Sequence, residues 1–133
     1  MMSESILKHF MTHYVVAMCG DLNRGERMNC AVLAWDMNEG EHAPVTIHMT
    51  KNWDRIIRAF WSHLPPNGIH GLAENITERL AAIKTLKDFH WAVERMGPYT
   101  PFEFTEERGS IASPEQTAGD MADWFLHRAG PPC

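Results

Sequence analysis

The feature that most constrains the fold of this chain is a short apolar run between two stretches of turn-forming residues. Residues 28–35 read MNCAVLAW, residues 21–27 (DLNRGER) precede them, and residues 36–44 (DMNEGEHAP) follow. Eight residues are too few for a typical buried helix, and the apolar residues do not alternate with polar ones. The pattern therefore predicts a β-strand that is buried on both faces, or nearly so.

Two neighbouring runs predict that this strand belongs to an antiparallel meander. Residues 13–19 (HYVVAMC) are rich in β-branched and aromatic residues, and residues 45–49 (VTIHM) have a strand-like alternation. Short links join these runs to residues 28–35. Residues 101–108 (PFEFTEER) alternate phenylalanines with acids, which predicts a fourth, half-exposed strand.

Helical periodicity follows the meander. Apolar residues recur every three to four positions in residues 53–64, 72–83, 89–96 and 121–126. We expect Pro65-Pro66 to end the first helix and residues 65–68 to form a loop. The last segment predicts an apolar side with four members: Met121, Trp124, Phe125 and Leu126.

Two capping signals support these helices. Thr85 and Asp88 have the spacing of a capping box, and Ser113 stands as an N-cap before Pro114 at the first helical position. Strands come first and most helices later, so the fold class is α+β. We expect an antiparallel sheet of three to four strands packed with three to four helices. The whole chain, 1–133, is predicted to be one domain with a short tail at 129–133.

The net charge of −5 has an uneven distribution along the chain. Residues 103–123 contain six acids and one base, and the rest of the chain balances. This argues against a nucleic-acid-binding surface, which needs a basic patch to replace counterions. It permits docking to a basic protein partner. The candidate contacts are Glu106, Glu107, Asp120 and Asp123.

No motif indicates a metal, a cofactor or a membrane span. His9 and His13 are four residues apart but lack the glutamate of a zinc-binding HExxH motif. Residues 21–25 begin like a calcium loop, but Glu26 and Val32 stand where such a loop needs glycine and glutamate. No apolar run reaches the roughly 20 residues of a membrane helix. The first ten residues lack the apolar block of a signal peptide, so we expect a cytoplasmic protein.

The three cysteines match no CxxC metal or redox pattern. Cys19 and Cys30 are neighbours if their strands pair, and we predict that both are reduced core thiols, because disulfides are rare in the cytosol. Trp91 does not fit the apolar face of its helix. It is therefore a candidate for partner binding or for a position at the rim of the core.

The polar turn before residues 28–35 has two interpretations. Glu26 and Asn29 can satisfy open backbone groups at the mouth of the strand, which is a structural role. Alternatively, Asp21, Glu26 and Asn29 converge as a small-enzyme or ligand site, with Arg24 or Arg27 holding an anionic group.

The same residues resemble a small bacterial and phage family known as domain of unknown function 3037. The resemblance rests on Tyr14-Val15-Val16, on the turn with Asp21 and Arg24-Gly25-Glu26, and on Asn29 and Val32; residues 102–128 are similar in outline. Cys30-Ala31 and Trp124-Phe125 depart from the usual family pattern.

The resemblance implies an accessory role, because members of that family are often encoded near kinases similar to the HipA toxin. We therefore expect a non-enzymatic interaction or regulatory module. Its expected partner is a HipA-like kinase or, for a phage-borne chain, a host defence complex. Neither the partner nor an oligomeric state follows from the residues.

Overall fold

A five-stranded antiparallel sheet forms the centre of the molecule. The computed structural model describes residues 11–20, 27–61, 63–96 and 102–128. The strands are β1 (Thr12–Cys19), β2 (Met28–Asp36), β3 (Thr46–Met49), β4 (Phe102–Phe104) and β5 (Arg108–Ser110). Their order is β3-β2-β1, and both β4 and β5 pair with the outer side of β1. The predicted α+β class and N-terminal meander are confirmed.

Among the described residues, four α-helices pack on this sheet. They are α1 (Trp53–Phe60), α2 (Pro66–Ala81), α3 (Leu86–Glu94) and α4 (Pro114–Ala122). A short 3₁₀ turn, Gly40–His42, follows β2, and a π-helical turn, Asp123–Arg128, continues α4. No helix among the described residues is long and apolar enough to cross a membrane.

The central strand β2 is buried on both faces, as its sequence predicts. One face carries Leu33 and Trp35, which belong to the core formed with α1, α2 and α3. The other face carries Val32 and Ala34, which pack with the small residues of α4. The side chains of Val32, Leu33 and Ala34 are fully buried. A helix layer on each face therefore accounts for the lack of alternation in this run.

The boundary between α1 and α2 differs from the prediction. Helix α1 ends at Phe60, and Pro66 is the first residue of α2 rather than the end of α1. Residues 66–68 therefore belong to the first turn of α2, not to a loop. Proline suits this position because the first helical N–H has no partner within the helix and the ring already holds a helical φ.

The predicted fourth strand is two short strands separated by a bulge. Ala17 pairs with Phe104, and Tyr14 pairs with Arg108. Two residues of β1 thus face three residues of the outer chain, 105–107. Thr105 closes the gap: its N–H donates to the Val16 carbonyl at 2.9 Å, and its hydroxyl accepts the Val16 N–H at 2.9 Å. A bulge of this kind interrupts an edge and bends it.

The loop after β5 is tied to β1 and α4 by hydroxyl groups. The Thr12 hydroxyl, which is fully buried, donates to the Ala112 carbonyl at 2.5 Å. The Thr117 hydroxyl donates to Ser110 Oγ at 2.9 Å. The Ser113 side chain accepts the Gln116 N–H, which confirms the predicted N-cap. These contacts fix where α4 begins and so seat it on the sheet.

The sequence predicted that Trp124 lies on the buried side of the last helix, but this prediction is wrong. Its side chain is 53% exposed, whereas Met121, Phe125 and Leu126 pack against the core. Residues 123–128 form a π-helical turn, which holds more residues per turn than an α-helix. The altered spacing moves Trp124 away from the side that an α-helical pattern assigns to it.

The capping box predicted at Thr85 and Asp88 is confirmed. Thr85 Oγ1 accepts the Asp88 N–H at 3.3 Å, and Asp88 Oδ2 accepts the Thr85 N–H at 3.1 Å. The Lys84 N–H also donates to Asp88 Oδ2 at 3.1 Å. These backbone donors, that of Lys84 first, hold the pKa of the Asp88 carboxyl below its ordinary value of 3.8.

We expect Thr105→Val to destabilise the protein while Thr105→Ser does not. Valine keeps the shape of threonine but leaves the buried Val16 N–H without an acceptor, which costs about 1–3 kcal/mol. Serine retains the hydroxyl. Urea unfolding followed by circular dichroism measures both free energies of unfolding. Equal stabilities of the two variants would contradict the role assigned to the Thr105 hydroxyl.

The carboxyl of Asp88 should have a pKa below 3.8, and the stability that it contributes to the fold should depend on the pH in the same range. A lowered pKa in the folded state stabilises the fold above the unfolded value, and this contribution is lost as the pH falls through the folded pKa. The stability difference between the protein and Asp88→Asn should therefore narrow as the pH falls below 3.8. NMR titration of the side-chain carboxyl gives the midpoint directly, and a midpoint at or above 3.8 would refute this account.

Candidate functional site

The polar turn that links β1 to β2 is described only at its end. Asp21, Arg24 and Glu26, which the sequence singles out, lie outside the described residues. Asn29 is half-buried in β2, and its Nδ2 donates to the Phe125 carbonyl at 3.4 Å. Asn29 therefore links the sheet to the π-helical turn, which favours the structural interpretation of this residue.

Arg27, the basic residue at the end of the turn, also contacts the sheet. Arg27 forms an ion pair with Glu103 in β4. Because β1 lies between β2 and β4, this pair spans the strand that separates its two partners. Its effect is to neutralise one of the six acids in residues 103–123 and to tie the start of β2 to the sheet edge.

The sheet separates the acids that the sequence groups together. Asp120 and Asp123 are exposed on and just after α4, which covers one face of the sheet. Glu107 lies near the other face, where its carboxylate is 3.6 Å from His13 Nδ1. Glu106 is exposed in the bulge. The acidic segment is therefore two separate surfaces rather than one.

An open groove lies between α3 and the bulged sheet edge, on the face covered by α1–α3. We call it the edge groove. Its volume is about 590 Å³, which is within the usual range of about 300–1,000 Å³ for small-molecule sites. Its apolar lining consists of Val15, Phe89, Val93, Met96 and Phe104. Phe89 and Phe104 contact each other edge to face, with ring centroids 4.9 Å apart.

Acidic side chains surround this apolar lining. Glu94, Glu103 and Glu107 line the edge groove, together with His90 and Thr105. Glu103 is neutralised by Arg27, and His90 Nδ1 lies 2.9 Å from Glu41 Oε1. Among the described residues, no basic side chain pairs with Glu94. Glu94 therefore leaves negative charge at the rim, and the exposed Glu107 carboxylate, 3.6 Å from His13 Nδ1, lies beside it in the lining.

A second, smaller cavity lies on the other side of the end of α3. We call it the arginine pocket. Its volume is about 180 Å³, and its lining includes Arg79, Trp91, Arg95 and Phe102. Arg95 lies over the Trp91 ring, 4.2 Å from its centroid, and Arg79 lies over the Phe102 ring at 5.6 Å. Trp91 is 58% exposed, so it lies at the rim of the core and not within it.

The two described cysteines are adjacent buried thiols. Cys19 and Cys30 are both free, and their Sγ atoms lie 3.1 Å apart. The contact between the thiols, the burial, and the repulsion between two thiolates raise the pKa of Cys30 well above its ordinary value. A thiol with a raised pKa is a poor nucleophile at neutral pH, so this pair belongs to the core.

In the part of the chain that the structure describes, no three His, Cys, Asp or Glu side chains come close enough together to hold a metal ion. Comparison of the chain with known protein families, with curated proteins and with solved structures finds no match.

Sequence reasoning missed the edge groove and the arginine pocket. The residues that line the groove come from β1, α3 and the bulged outer edge, and their sequence positions are far apart. One signal was present: Trp91 does not fit the apolar face of its short helix, and it is 58% exposed in the arginine pocket.

We expect Asn29→Asp to destabilise the fold by about 1–2 kcal/mol. The aspartate cannot donate to the Phe125 carbonyl and places an anionic oxygen against it. Asn38→Asp is the matched control, because Asn38 is exposed in the turn after β2 and should change stability by less than about 0.5 kcal/mol. Thermal unfolding measures the stability of both variants. Equal losses of stability in the two variants would contradict the structural role of Asn29.

Proposed function

We propose that this chain is a non-enzymatic interaction module, and that its edge groove binds a basic, partly apolar segment of a partner protein. The observation that carries the proposal is the pairing of an apolar floor with exposed carboxylates at the rim. Interfaces of this type combine buried apolar anchors with charged rims that orient the partner.

The floor of the groove offers space for an apolar anchor. Val15 is almost fully buried beneath it, and Phe89 is 6% exposed, so an incoming side chain meets packed hydrocarbon. Val93 is 43% exposed at the groove, although it is apolar. Covering Val93 removes apolar surface from water, which contributes favourable free energy of about 25 cal/mol per Å².

The rim determines the sign of the partner's charge. Glu94 and Glu107 are both exposed, and a lysine or arginine that approaches them gains a charge-assisted hydrogen bond. The bulge contributes to the same preference, because it places residues 105–107 beside the groove and interrupts the edge strand. A basic segment with one or two large apolar residues fits these features.

The partner class that we favour is the one implied by the resemblance to domain of unknown function 3037. We propose a HipA-like kinase or, for a phage-borne chain, a host defence complex as the source of the basic segment.

Charge reversal in the groove should weaken binding, and charge reversal on α4 should not. Peptides selected from a displayed random library against the protein should be enriched in Lys and Arg next to aromatic or aliphatic residues. Their affinity for Glu94→Lys/Glu107→Lys should fall by roughly tenfold or more, because two attractive contacts become repulsive. Fluorescence anisotropy with purified proteins measures the dissociation constants.

The matched control is Asp120→Lys/Asp123→Lys, which changes the net charge equally on the opposite face of the sheet. Selected peptides that bind both double variants alike, or that lack a basic bias, would refute the proposed function. Affinity purification from the native host, with the groove variant as the negative control, then identifies the partner by mass spectrometry.

A further inference from the structure

We infer that the arginine pocket binds a small organic carboxylate, a compound that joins one carboxylate to an apolar body. This site lies on the other side of the end of α3 from the edge groove, with which it shares Met96, and the inference is independent of the proposed function. It follows from how two guanidinium groups, two aromatic rings and a small cavity are arranged at the ends of α2 and α3.

The aromatic rings hold the guanidinium groups in place. Arg95 lies 4.2 Å above the Trp91 centroid, and Arg79 lies 5.6 Å above the Phe102 centroid. Contacts at these distances are attractive cation–π interactions. A guanidinium group that rests on a ring face keeps its N–H edge free, and that edge matches the two oxygens of a carboxylate.

In the part of the chain that the structure describes, no acidic side chain neutralises the positive charge in the pocket. Among the described residues, no Asp or Glu forms an ion pair with Arg79 or Arg95. Both arginines line one cavity of about 180 Å³, so an anion inside it lies close to both. The pocket therefore attracts an anion although the protein as a whole carries a net charge of −5.

The helix ends select a carboxylate over a doubly charged phosphate. Arg79 is in the last turn of α2, and Arg95 is the C-cap of α3. Each helix C-terminus carries a partial charge of about −0.5. Two guanidinium charges and two such ends leave the pocket with a net charge of roughly +1, which one carboxylate balances.

The rest of the lining accommodates the apolar body. Ala82, Ala92 and Met96 complete the cavity together with the two rings. The volume lies below the range of about 300–1,000 Å³ that is usual for sites enclosing drug-sized molecules. The ligand is therefore the size of one ring or one short aliphatic chain. It is either a free small acid or the terminal carboxylate of a peptide chain.

An NMR titration of the full chain with sodium benzoate tests this inference. The indole N–H signal of Trp91, identified by its absence in Trp91→Phe, should shift and saturate with a dissociation constant of about 1 mM or tighter. Benzamide, which has the same shape without the charge, should bind at least tenfold more weakly. Phenyl phosphate should also bind more weakly than benzoate.

Arginine variants test the assignment of the site. Arg79→Gln and Arg95→Gln should each weaken benzoate binding about tenfold or more, because each removes a charged hydrogen-bond donor. Arg58→Gln, an equal charge change on the exposed side of α1, should leave the affinity unchanged. Arg79 and Arg95 are themselves exposed, so their variants should fold, and the dispersion of the amide spectrum verifies this.

A parallel titration with N-acetylphenylalanine distinguishes the two sources of the carboxylate. Saturable binding of benzoate alone supports a free acid, and tighter binding of N-acetylphenylalanine supports a chain terminus. The inference is overturned if neither compound saturates, if benzamide binds as well as benzoate, if phenyl phosphate binds more tightly, or if the Arg79 and Arg95 variants bind like Arg58→Gln.

Discussion

The burial of β2 on both faces is the constraint on which the rest of the structure depends. Its side chains alternate between two cores, so each face of the sheet needs its own helical cover. Helices α1, α2 and α3 cover the Leu33 face, and helix α4 with the π-helical turn after it covers the Val32 face. Small residues such as Ala118 and Ala122 let α4 approach the sheet closely. The chain after β5 must therefore cross to the second face, and the Thr12 and Thr117 hydroxyl bonds fix that crossing.

The edge groove is a consequence of how the outer edge of the sheet is built. A regular fourth strand would run the full length of β1 and lie flat beside it. The extra residue in 105–107 prevents this, and the Thr105 hydroxyl supplies the acceptor that the missing ladder bond would have provided. The bulge leaves Val15 at the floor of an open groove beside α3. One side-chain hydrogen bond thus maintains both the integrity of the sheet and the shape of the candidate site.

The sequence predicted those parts of the fold that depend on local pattern. The apolar run of residues 28–35 predicted the central strand, and the spacing of Thr85 and Asp88 predicted the start of α3. The predictions were wrong where the three-dimensional path of the chain, and not the local sequence pattern, determines the structure. Pro66 can end one helix or begin the next, and only the path of the chain selects between them. Trp124 fits an α-helical stripe, but a π-helical turn gives it another direction.

The candidate sites show why a count of charges along the chain is a poor guide to binding surfaces. The acidic segment 103–123 dominates the count, yet the sheet places Glu107 and Asp123 near opposite faces and Arg27 neutralises Glu103. Arg79 and Arg95 lie in the part of the chain whose charges balance, so the count gave no reason to select them. Folding brings them to one cavity, and the described residues that line it include no carboxylate. The fold can create a local excess of one charge within a segment whose total charge is balanced. A count of charges along the sequence does not detect this excess, but a ligand binds according to it.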